Sequence, residues 1–189
     1  MRAGTAPPRS RRWMAVVTVG LALMIADHRG WLLKHGPDDM TAYHGAVVRV
    51  SRVIDGGTIE IGLPDRRHDQ PFTVVRLWGI DSPRQAGRER YAQEFAGEAR
   101  DLMRALTAGG TVLLTLETHR TRGPLGRVLA HVRLVGGTSL NERILAEGLA
   151  RTDERWPHAR LTRYGQIQRA ARRRGMGLWG TSPRHGGTR

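Results

Sequence analysis

The sequence predicts an α+β fold: a small β-barrel of five short strands with about three helices, preceded by an N-terminal hydrophobic helix. Its length of 189 residues, 39% of them hydrophobic, suits one domain with terminal appendages. Short apolar segments bounded by turn residues indicate strands, and later segments with three- and four-residue apolar spacing indicate helices. These segments exclude a wholly disordered chain, and the 24 glycines have no collagen-like period.

The first 35 residues have the layout of an export signal or a membrane anchor. A basic stretch that ends in Arg11 and Arg12 precedes an apolar run over residues 13–26, and charge returns at Asp27. A helix of this length would rise roughly 21 Å, which is short of the roughly 30 Å hydrocarbon core. We therefore expect an exported chain, periplasmic or secreted, or one held at a membrane through residues 13–26. A buried N-terminal helix is the alternative.

The strands are predicted from apolar runs between turn signals. Residues 36–45 begin with Gly36-Pro37-Asp38-Asp39 and are predicted to be a linker. Asp55-Gly56-Gly57 is a hairpin signal between the first two strands. The five predicted strands cover residues 46–54, 58–63, 72–80, 111–117 and 127–135.

Three helices are predicted among and after these strands, over residues 88–107, 140–149 and 161–174. The second has Ser139 as its N-cap and Glu142 three residues later, which is a capping box. Five short strands with helices at one side and one end favour a barrel of the OB type over residues 46–180. Residues 181–189 are predicted to be a basic disordered tail.

The formal net charge of +14 is concentrated at the two ends of the chain. Residues 36–162 hold 18 arginines against 16 acidic residues, so the central region is nearly balanced. Lys34 is the only lysine, and arginine-rich chains suit phosphate recognition, although biased codon usage gives the same composition. Cysteine is absent, which excludes disulfides, thiolate metal sites and a cysteine nucleophile.

The histidines and one tryptophan give weaker signals. No pair of histidines has the His-x-x-x-His spacing of a helical metal site, so we expect His119 and the others to lie on the surface or in loops. Trp156 is a candidate for stacking on a nucleic-acid base. Beside Pro157, it is equally suited to packing.

Three motifs carry a family resemblance. They are Val53-Ile54-Asp55-Gly56-Gly57-Thr58-Ile59, then Val75-Arg76-Leu77-Trp78-Gly79-Ile80-Asp81-Ser82-Pro83, then Gly126-Arg127-Val128-Leu129-Ala130. In order and spacing they resemble the signatures of the staphylococcal nuclease or thermonuclease family. The resemblance continues through Leu140-Asn141-Glu142, Glu147-Gly148-Leu149-Ala150 and Gly177-Leu178-Trp179, and covers residues 46–180.

The resemblance implies hydrolysis of nucleic-acid phosphodiesters with calcium as the cofactor. Arg76 and Arg127 match the two arginines that grip the phosphate in this family. Asp81 matches a metal-binding aspartate, and Ser82 stands where a threonine usually gives its carbonyl to the metal. Asp55 matches an aspartate beside the metal site. Taken alone, Arg76 is as well explained by a structural salt bridge to Asp55 or Asp81, and Asp81 by a turn before Ser82-Pro83.

Two positions depart from the family pattern. Gly57 stands where a second metal-binding aspartate is expected, and Arg84 stands where the general-base glutamate is expected. Calcium prefers six to eight oxygen ligands, several of them anionic, so we expect weak or absent calcium binding. Glu60 cannot replace the lost aspartate, because its odd offset from Gly57 along a strand turns it to the other face.

Among the acids that follow the second motif, Glu89 is the better candidate for a replacement base, and Glu94 also lies within reach. Gln85 could orient a water without accepting a proton. In the structural alternative, Glu89 only stabilises a helix N-terminus.

Two functions follow from these observations. The first is a slow endonuclease, acting as a monomer on DNA or RNA with a preference for single strands. The second is an inactive relic of the nuclease fold that still binds single-stranded nucleic acid. A purely structural envelope protein is the third interpretation, and it predicts no affinity for an oligonucleotide at low salt.

Overall fold

The computed structural model describes the backbone of residues 38–83 and 90–180 and the side chains of residues 38–83 and 95–180. The N-terminal hydrophobic helix, the signal or anchor and the basic tail fall outside the described residues and stay predictions. Within the described ranges, no helix is both long and apolar enough to cross a membrane.

The described elements follow the predicted order. The strands are β1 (Val47–Asp55), β2 (Thr58–Ile61), β3 (Thr73–Leu77), β4 (Ile80–Asp81), β5 (Thr111–Thr115), β6 (Val128–Leu134) and β7 (Arg151–Thr152). The helices are α1 (Asp39–Tyr43), α2 (Arg90–Thr107), α3 (Leu140–Ala146) and α4 (Leu161–Arg173), followed by a 3₁₀ turn (Gly177–Trp179).

Five strands close into a barrel in the order β1-β2-β3-β6-β5. Neighbouring strands are antiparallel except β3 and β6, which run parallel. The short strands β4 and β7 pair separately beside the barrel. This architecture confirms the predicted α+β fold with a five-stranded barrel of the OB type.

The core fills the barrel and the space between the barrel and the helices. The β2 strand is buried along its whole length, because one face lies inside the barrel and the other is covered. The largest fully buried side chains come from both layers: Tyr164, Ile59, Ile61, Leu77, Ile80, Met103, Leu114, Leu140, Ile144 and Leu145. One continuous apolar cluster therefore holds the strands and helices together.

The third predicted strand, residues 72–80, is divided in two by a turn. Gly79 has a φ of +75°, and a Cβ there would lie 2.4 Å from the His158 ring, so the turn requires glycine. The turn reverses the chain between β3 and β4 and brings the Ile80 carbonyl back toward Arg76.

Helix α3 holds this turn in place through hydrogen bonds. Ser139 caps the helix by accepting a hydrogen bond from the Glu142 amide, which confirms the predicted N-cap. The fully buried Asn141 accepts a hydrogen bond from the Val132 amide and donates one to the Trp78 carbonyl. One side chain thus joins α3, β6 and the turn after β3, so the position of the turn is well determined.

Helix α1 lies inside the segment that we expected to be a linker. Asp38 caps it by accepting a hydrogen bond from the Thr41 amide at 2.7 Å. Tyr43 packs in the core, and Asp39 is buried as well. The packed domain therefore includes residues from Asp38 onward, where the sequence predicted an unpacked connection.

Candidate functional site

A pocket of about 270 Å³ opens beside the turn after β3. Arg76 and Arg127, the two arginines that the sequence singles out, both line it, together with Trp156. Its walls come from the turn after β3, the loop before β6 and the loop after β7: Arg76, Leu77, Trp78, Gly79, Ile80, Arg120, Gly123, Pro124, Leu125, Arg127, Leu129, Asp153, Arg155 and Trp156. Four arginines and one aspartate give this pocket a positive character, which favours an anionic ligand.

Arg76 is only 7% exposed, and its two terminal nitrogens differ in their environments. Its Nη2 donates to the Asp81 carboxylate at 2.7 Å and to the Ile80 carbonyl at 3.2 Å. Its Nη1 is buried and has no hydrogen-bond partner among the described residues. A buried guanidinium nitrogen without a partner is energetically costly, so Nη1 is the atom most ready to receive an anionic oxygen.

The partnerless nitrogen faces the position where the family pattern has an aspartate. Thr58 of β2 pairs directly with Arg76 of β3, so Gly57 lies beside the guanidinium. A Cβ at Gly57 would lie 3.1 Å from Nη1 of Arg76 and 3.6 Å from Cβ of Ser82. The glycine at this position therefore leaves Arg76 without the carboxylate that a longer side chain would bring.

Two residues expected at or beside the metal site, Asp55 and Ser82, form side-chain hydrogen bonds with the backbone. The Asp55 carboxylate accepts a hydrogen bond from the Gly57 amide at 2.8 Å, which shapes the hairpin turn. Ser82 is buried, and its hydroxyl donates to the Leu149 carbonyl at 3.1 Å. Asp81 is 54% exposed and is paired with Arg76, as the salt-bridge interpretation proposed.

The donor set of the described residues does not fit calcium. Near Gly57 it offers two carboxylates, Asp81, which is paired with a guanidinium, and Asp55, which is bonded to the Gly57 amide, whereas calcium needs several anionic oxygens. Among the described side chains, no three acids or histidines converge at this pocket closely enough to hold an ion. Arg84 and Glu89 lie outside the described residues, so the position of the candidate base stays a prediction. Glu60 binds Arg52 at 2.8 Å, away from the pocket.

The loop that carries Arg127 is fixed by a buried ion-pair cluster centred on Arg122. The Arg122 guanidinium donates to Asp39 and to Asp65 at 2.7 Å each, and all three side chains are 8% exposed. It also donates to the Gly126 carbonyl at 2.8 Å, directly before Arg127. The cluster therefore joins helix α1 and the loop after β2 to the loop that carries Arg127.

Trp156 stands at the mouth of the pocket and is 42% exposed. The Arg120 guanidinium lies 3.6 Å from its ring centroid, so one face of the indole is covered by a cation. Arg155 forms two short hydrogen bonds with Asp153, and these bonds hold the pKa of Asp153 below its usual range. Arg155 is therefore held by Asp153, whereas the exposed part of Trp156 can still meet a base.

Comparison of the sequence with known protein families identifies the family of this domain. The family model for staphylococcal nuclease homologues matches residues 74–181, which include most of β3, the loop that carries Arg127 and all of the pocket walls. This chain belongs to the staphylococcal nuclease family.

Relatives of this staphylococcal nuclease homologue carry endonuclease names. It is 34% identical to the "Probable endonuclease LCL3" of Schizophyllum commune over 118 residues, 56% of this chain but only 39% of that protein. It is 31% identical to an "Uncharacterized endonuclease" of Escherichia coli over 136 residues, covering 72% of this chain and 76% of the relative. "Endonuclease YncB" of Bacillus subtilis is 31% identical over 104 residues, 46% of its length.

Two features of this nuclease homologue were not found from the sequence. The expectation that the histidines lie on the surface or in loops is wrong for His131, which is on β6 and 4% exposed; His158 lies in a loop as expected, but it is buried, with 8% exposed. Their spacing gives no signal, because they lie on different elements and meet only in the folded chain. The Arg122 cluster was also missed, since its two acidic partners are 57 and 83 residues away.

The Arg122 cluster predicts a loss of stability in acid. Burial alone would raise the pKa of Asp65, but hydrogen bonds from Arg122 and His68 lower it to about 2, and the pKa of Asp39 is also lowered by Arg122. A carboxyl with a lowered folded-state pKa stabilises the protein above its unfolded pKa, near 3.8, and loses that contribution as the pH falls toward 2.

We expect Asp65 to account for about 2 kcal/mol of unfolding free energy lost between pH 5 and pH 2. Urea unfolding at half-unit pH steps measures this loss. In Arg122→Met the slope over this range should be much shallower, and an equal slope in both proteins would contradict the assignment.

Proposed function

We propose that this chain is a nucleic-acid phosphodiesterase of low activity, which binds single-stranded DNA or RNA in the pocket between Arg76 and Arg127. The relatives named endonucleases support a nuclease-type function. Two observations carry the proposal: Arg76 lines the same pocket as Arg127, and its buried Nη1 has no hydrogen-bond partner among the described residues.

The arrangement suits a phosphodiester. Guanidinium groups bind phosphate oxygens through charge-assisted hydrogen bonds, and they stabilise the negative charge that grows on these oxygens as water attacks phosphorus. Asp81 and the Ile80 carbonyl hold the other side of the Arg76 guanidinium, so Nη1 is presented in a fixed direction. Trp156 offers part of an aromatic face to an adjacent base, which favours single strands over duplexes.

The same geometry makes hydrolysis slow. Gly57 removes a carboxylate from the place where a metal would lie, and Arg84 replaces the acid that would activate water. We propose that solvent or Glu89 takes the proton from the attacking water. General-base catalysis typically contributes roughly 10²- to 10⁴-fold, so the loss of a dedicated base accounts for a low rate.

A second function, binding without cleavage, is favoured by one observation. The carboxylate of Asp81 is paired with Arg76, and that of Asp55 accepts a hydrogen bond from the Gly57 amide, so both described acids near Gly57 already have partners. In that case the pocket would keep its affinity for phosphates and would have lost the chemistry. The two functions differ only in turnover, so one experiment can separate them.

The experiment follows a labelled single-stranded oligonucleotide with the full chain in calcium, in magnesium and in EDTA. We expect slow cleavage, and binding that survives in EDTA. Binding with no cleavage under any condition would select the second function. The absence of both at low salt would contradict the proposal and favour the structural interpretation.

Arg76→Met tests the assigned phosphate contact. Loss of one charge-assisted hydrogen bond should weaken oligonucleotide binding by about 10- to 100-fold and lower the slope of log K against log salt by about 0.7. Fluorescence anisotropy at several salt concentrations measures both quantities. Arg133→Met is the matched control, because it removes the same charge from an exposed residue of β6 that does not line the pocket. Equal weakening in the two variants would show only a general charge effect and would remove Arg76 from the site.

The cellular location is a further part of the proposal. We propose that the apolar run over residues 13–26 exports the chain or anchors it to a membrane, as the composition of the first 35 residues indicates. Fractionation of the native cells, with an antibody against the full chain, distinguishes these placements from a chain that stays in the cytosol.

A further inference from the structure

A group of side chains that can bind a metal ion lies close together outside the residues that line the pocket. Glu117 follows β5, His131 is on β6, and His158 precedes α4. One ligand atom from each lies within 4.8 Å of the other two. Both histidines are buried, and Glu117 is largely covered, so the group lies inside the fold.

We propose that Glu117, His131 and His158 form a zinc-binding site. Two imidazole nitrogens and one carboxylate are the ligand types that zinc takes in proteins, and three protein ligands with an open fourth position are a known zinc arrangement. The proposal concerns residues outside the nucleic-acid pocket and does not depend on nuclease activity.

The ring of His158 provides an independent indication of a ligand. The residue is 8% exposed, and its Nε2 is buried with no hydrogen-bond partner among the described residues. Its Nδ1 accepts a hydrogen bond from the Arg160 amide at 3.2 Å. A buried ring nitrogen without a partner is destabilising, and a cation held jointly with Glu117 would remove that cost.

The other two ligands already have supporting partners. Nδ1 of His131 lies 2.8 Å from the Tyr164 hydroxyl, which can accept a hydrogen bond from a protonated Nδ1. Nε2 then carries no proton and can bind the metal. Nε2 of His131 lies 3.1 Å from the Glu117 carboxylate, close to the separation of two ligands on one tetrahedral ion, which is about 3.3 Å. The Ala159 amide donates to the same carboxylate at 2.8 Å and fixes its direction.

Closing the site requires a small rearrangement. The three ligand atoms lie within 4.8 Å of one another, whereas two ligands of one tetrahedral ion are about 3.3 Å apart, so the His158 ring has to move by up to about 1.5 Å. Binding through Nε2 also places the ring proton on Nδ1, so the hydrogen bond from the Arg160 amide is given up. Water or His119, whose Nδ1 is 3.8 Å from the Glu117 carboxylate, completes the coordination.

The metal would link two separate parts of the fold. His131 is on the barrel strand β6 and Glu117 comes shortly after β5, whereas His158 ends the loop that carries Trp156. Zinc between them would fix this loop to the barrel and would hold the mouth of the nucleic-acid pocket in place. The site is therefore expected to stabilise the fold.

The experiment titrates the full chain, without a histidine tag and after treatment with a chelator, with Zn²⁺. We expect one ion per chain with a dissociation constant of about 1 µM or tighter, and a rise in the unfolding midpoint of about 4 °C or more at saturation. Co²⁺ provides a second measurement on the unchanged protein, since a tetrahedral site gives an intense visible absorption band and an octahedral surface complex gives a weak one.

His131→Gln and His158→Gln should each weaken zinc binding by at least about 100-fold. His185→Gln is the matched control, because it removes one histidine outside the described residues and should leave the affinity unchanged. Equal affinity in all three variants would overturn the proposal, as would a wild-type chain that binds no zinc at 100 µM. If a buried variant does not fold, the intensity of the Co²⁺ band in the wild-type protein still decides, and a weak band would contradict the site.

Discussion

The Gly57→Asp substitution combined with Arg84→Glu is expected to raise the rate of calcium-dependent cleavage of single-stranded DNA by about 100-fold or more. The aspartate returns a carboxylate beside Asp81, and the glutamate returns an acid that can accept a proton from water. A general base alone typically contributes roughly 10²- to 10⁴-fold. Initial rates with a fluorescent oligonucleotide, at saturating calcium and in EDTA, measure the gain.

The backbone at Gly57 can accept this side chain. Its φ is outside the left-handed region. A new Cβ would lie 3.1 Å from Nη1 of Arg76 and 3.6 Å from Cβ of Ser82, so the guanidinium has to move by only a few tenths of an ångström. Calorimetry should then show calcium binding tighter than about 1 mM in the variant and not in the wild-type chain. Gly57→Asn with Arg84→Gln is the control, since it has nearly the same shape and lacks both charges. If the control gains as much activity as the acidic pair, the explanation for the low rate is wrong.

Arg122→Met is expected to lower the free energy of unfolding by about 3–5 kcal/mol. The substitution removes the cation from between two buried carboxylates, and breaking a buried ion pair by taking one partner is strongly destabilising. It also removes the hydrogen bond to the Gly126 carbonyl, so the loop that carries Arg127 loses its anchor. Urea denaturation followed by circular dichroism measures the change.

Arg49→Met is the matched control for this loss, because Arg49 is an exposed residue of β1 and a surface substitution usually changes stability by less than about 0.5 kcal/mol. Oligonucleotide affinity should also fall in Arg122→Met at temperatures where the variant is still folded. A stability within 1 kcal/mol of the wild type would contradict the structural role given to the cluster.

Local patterns in the sequence predicted the elements of the fold well. Apolar runs between turn signals predicted all five barrel strands, and the cap at Ser139 placed the start of α3 correctly. At two places where the predicted boundaries differ from the structure, a glycine explains the difference. Gly79 divides the third strand, and α3 ends at Ala146 because Gly148, with a φ of +68°, packs against the backbone of Met176.

Helix α1 shows how a turn signal can hide a helix. Gly36 and Pro37 indicate a break in structure, and the aspartate that follows them is both a turn residue and a good N-cap. Asp38 in fact caps a helix of five residues whose last residue, Tyr43, is buried in the core. The burial of one aromatic residue decided the outcome, and no local pattern reports burial.

The candidate site could be predicted only where the residues lie close in sequence. Arg76 and Asp81 are five positions apart, and their pairing was one of the two interpretations that the sequence offered. That Arg127 lines the same pocket followed from the family pattern and not from local chemistry. The clusters around Arg122 and His131 depend on distant partners brought together by barrel closure, so their residues carried no signal.

The most direct test of the account observes the guanidinium groups themselves. In a chain labelled with ¹⁵N-arginine, NMR follows the side-chain nitrogens while a short single-stranded oligonucleotide is added in EDTA. If Arg76 and Arg127 hold the phosphate, their signals shift together and saturate with the binding curve, while those of the exposed Arg133 stay in place. Saturable binding that leaves the Arg76 signals unmoved would contradict this assignment.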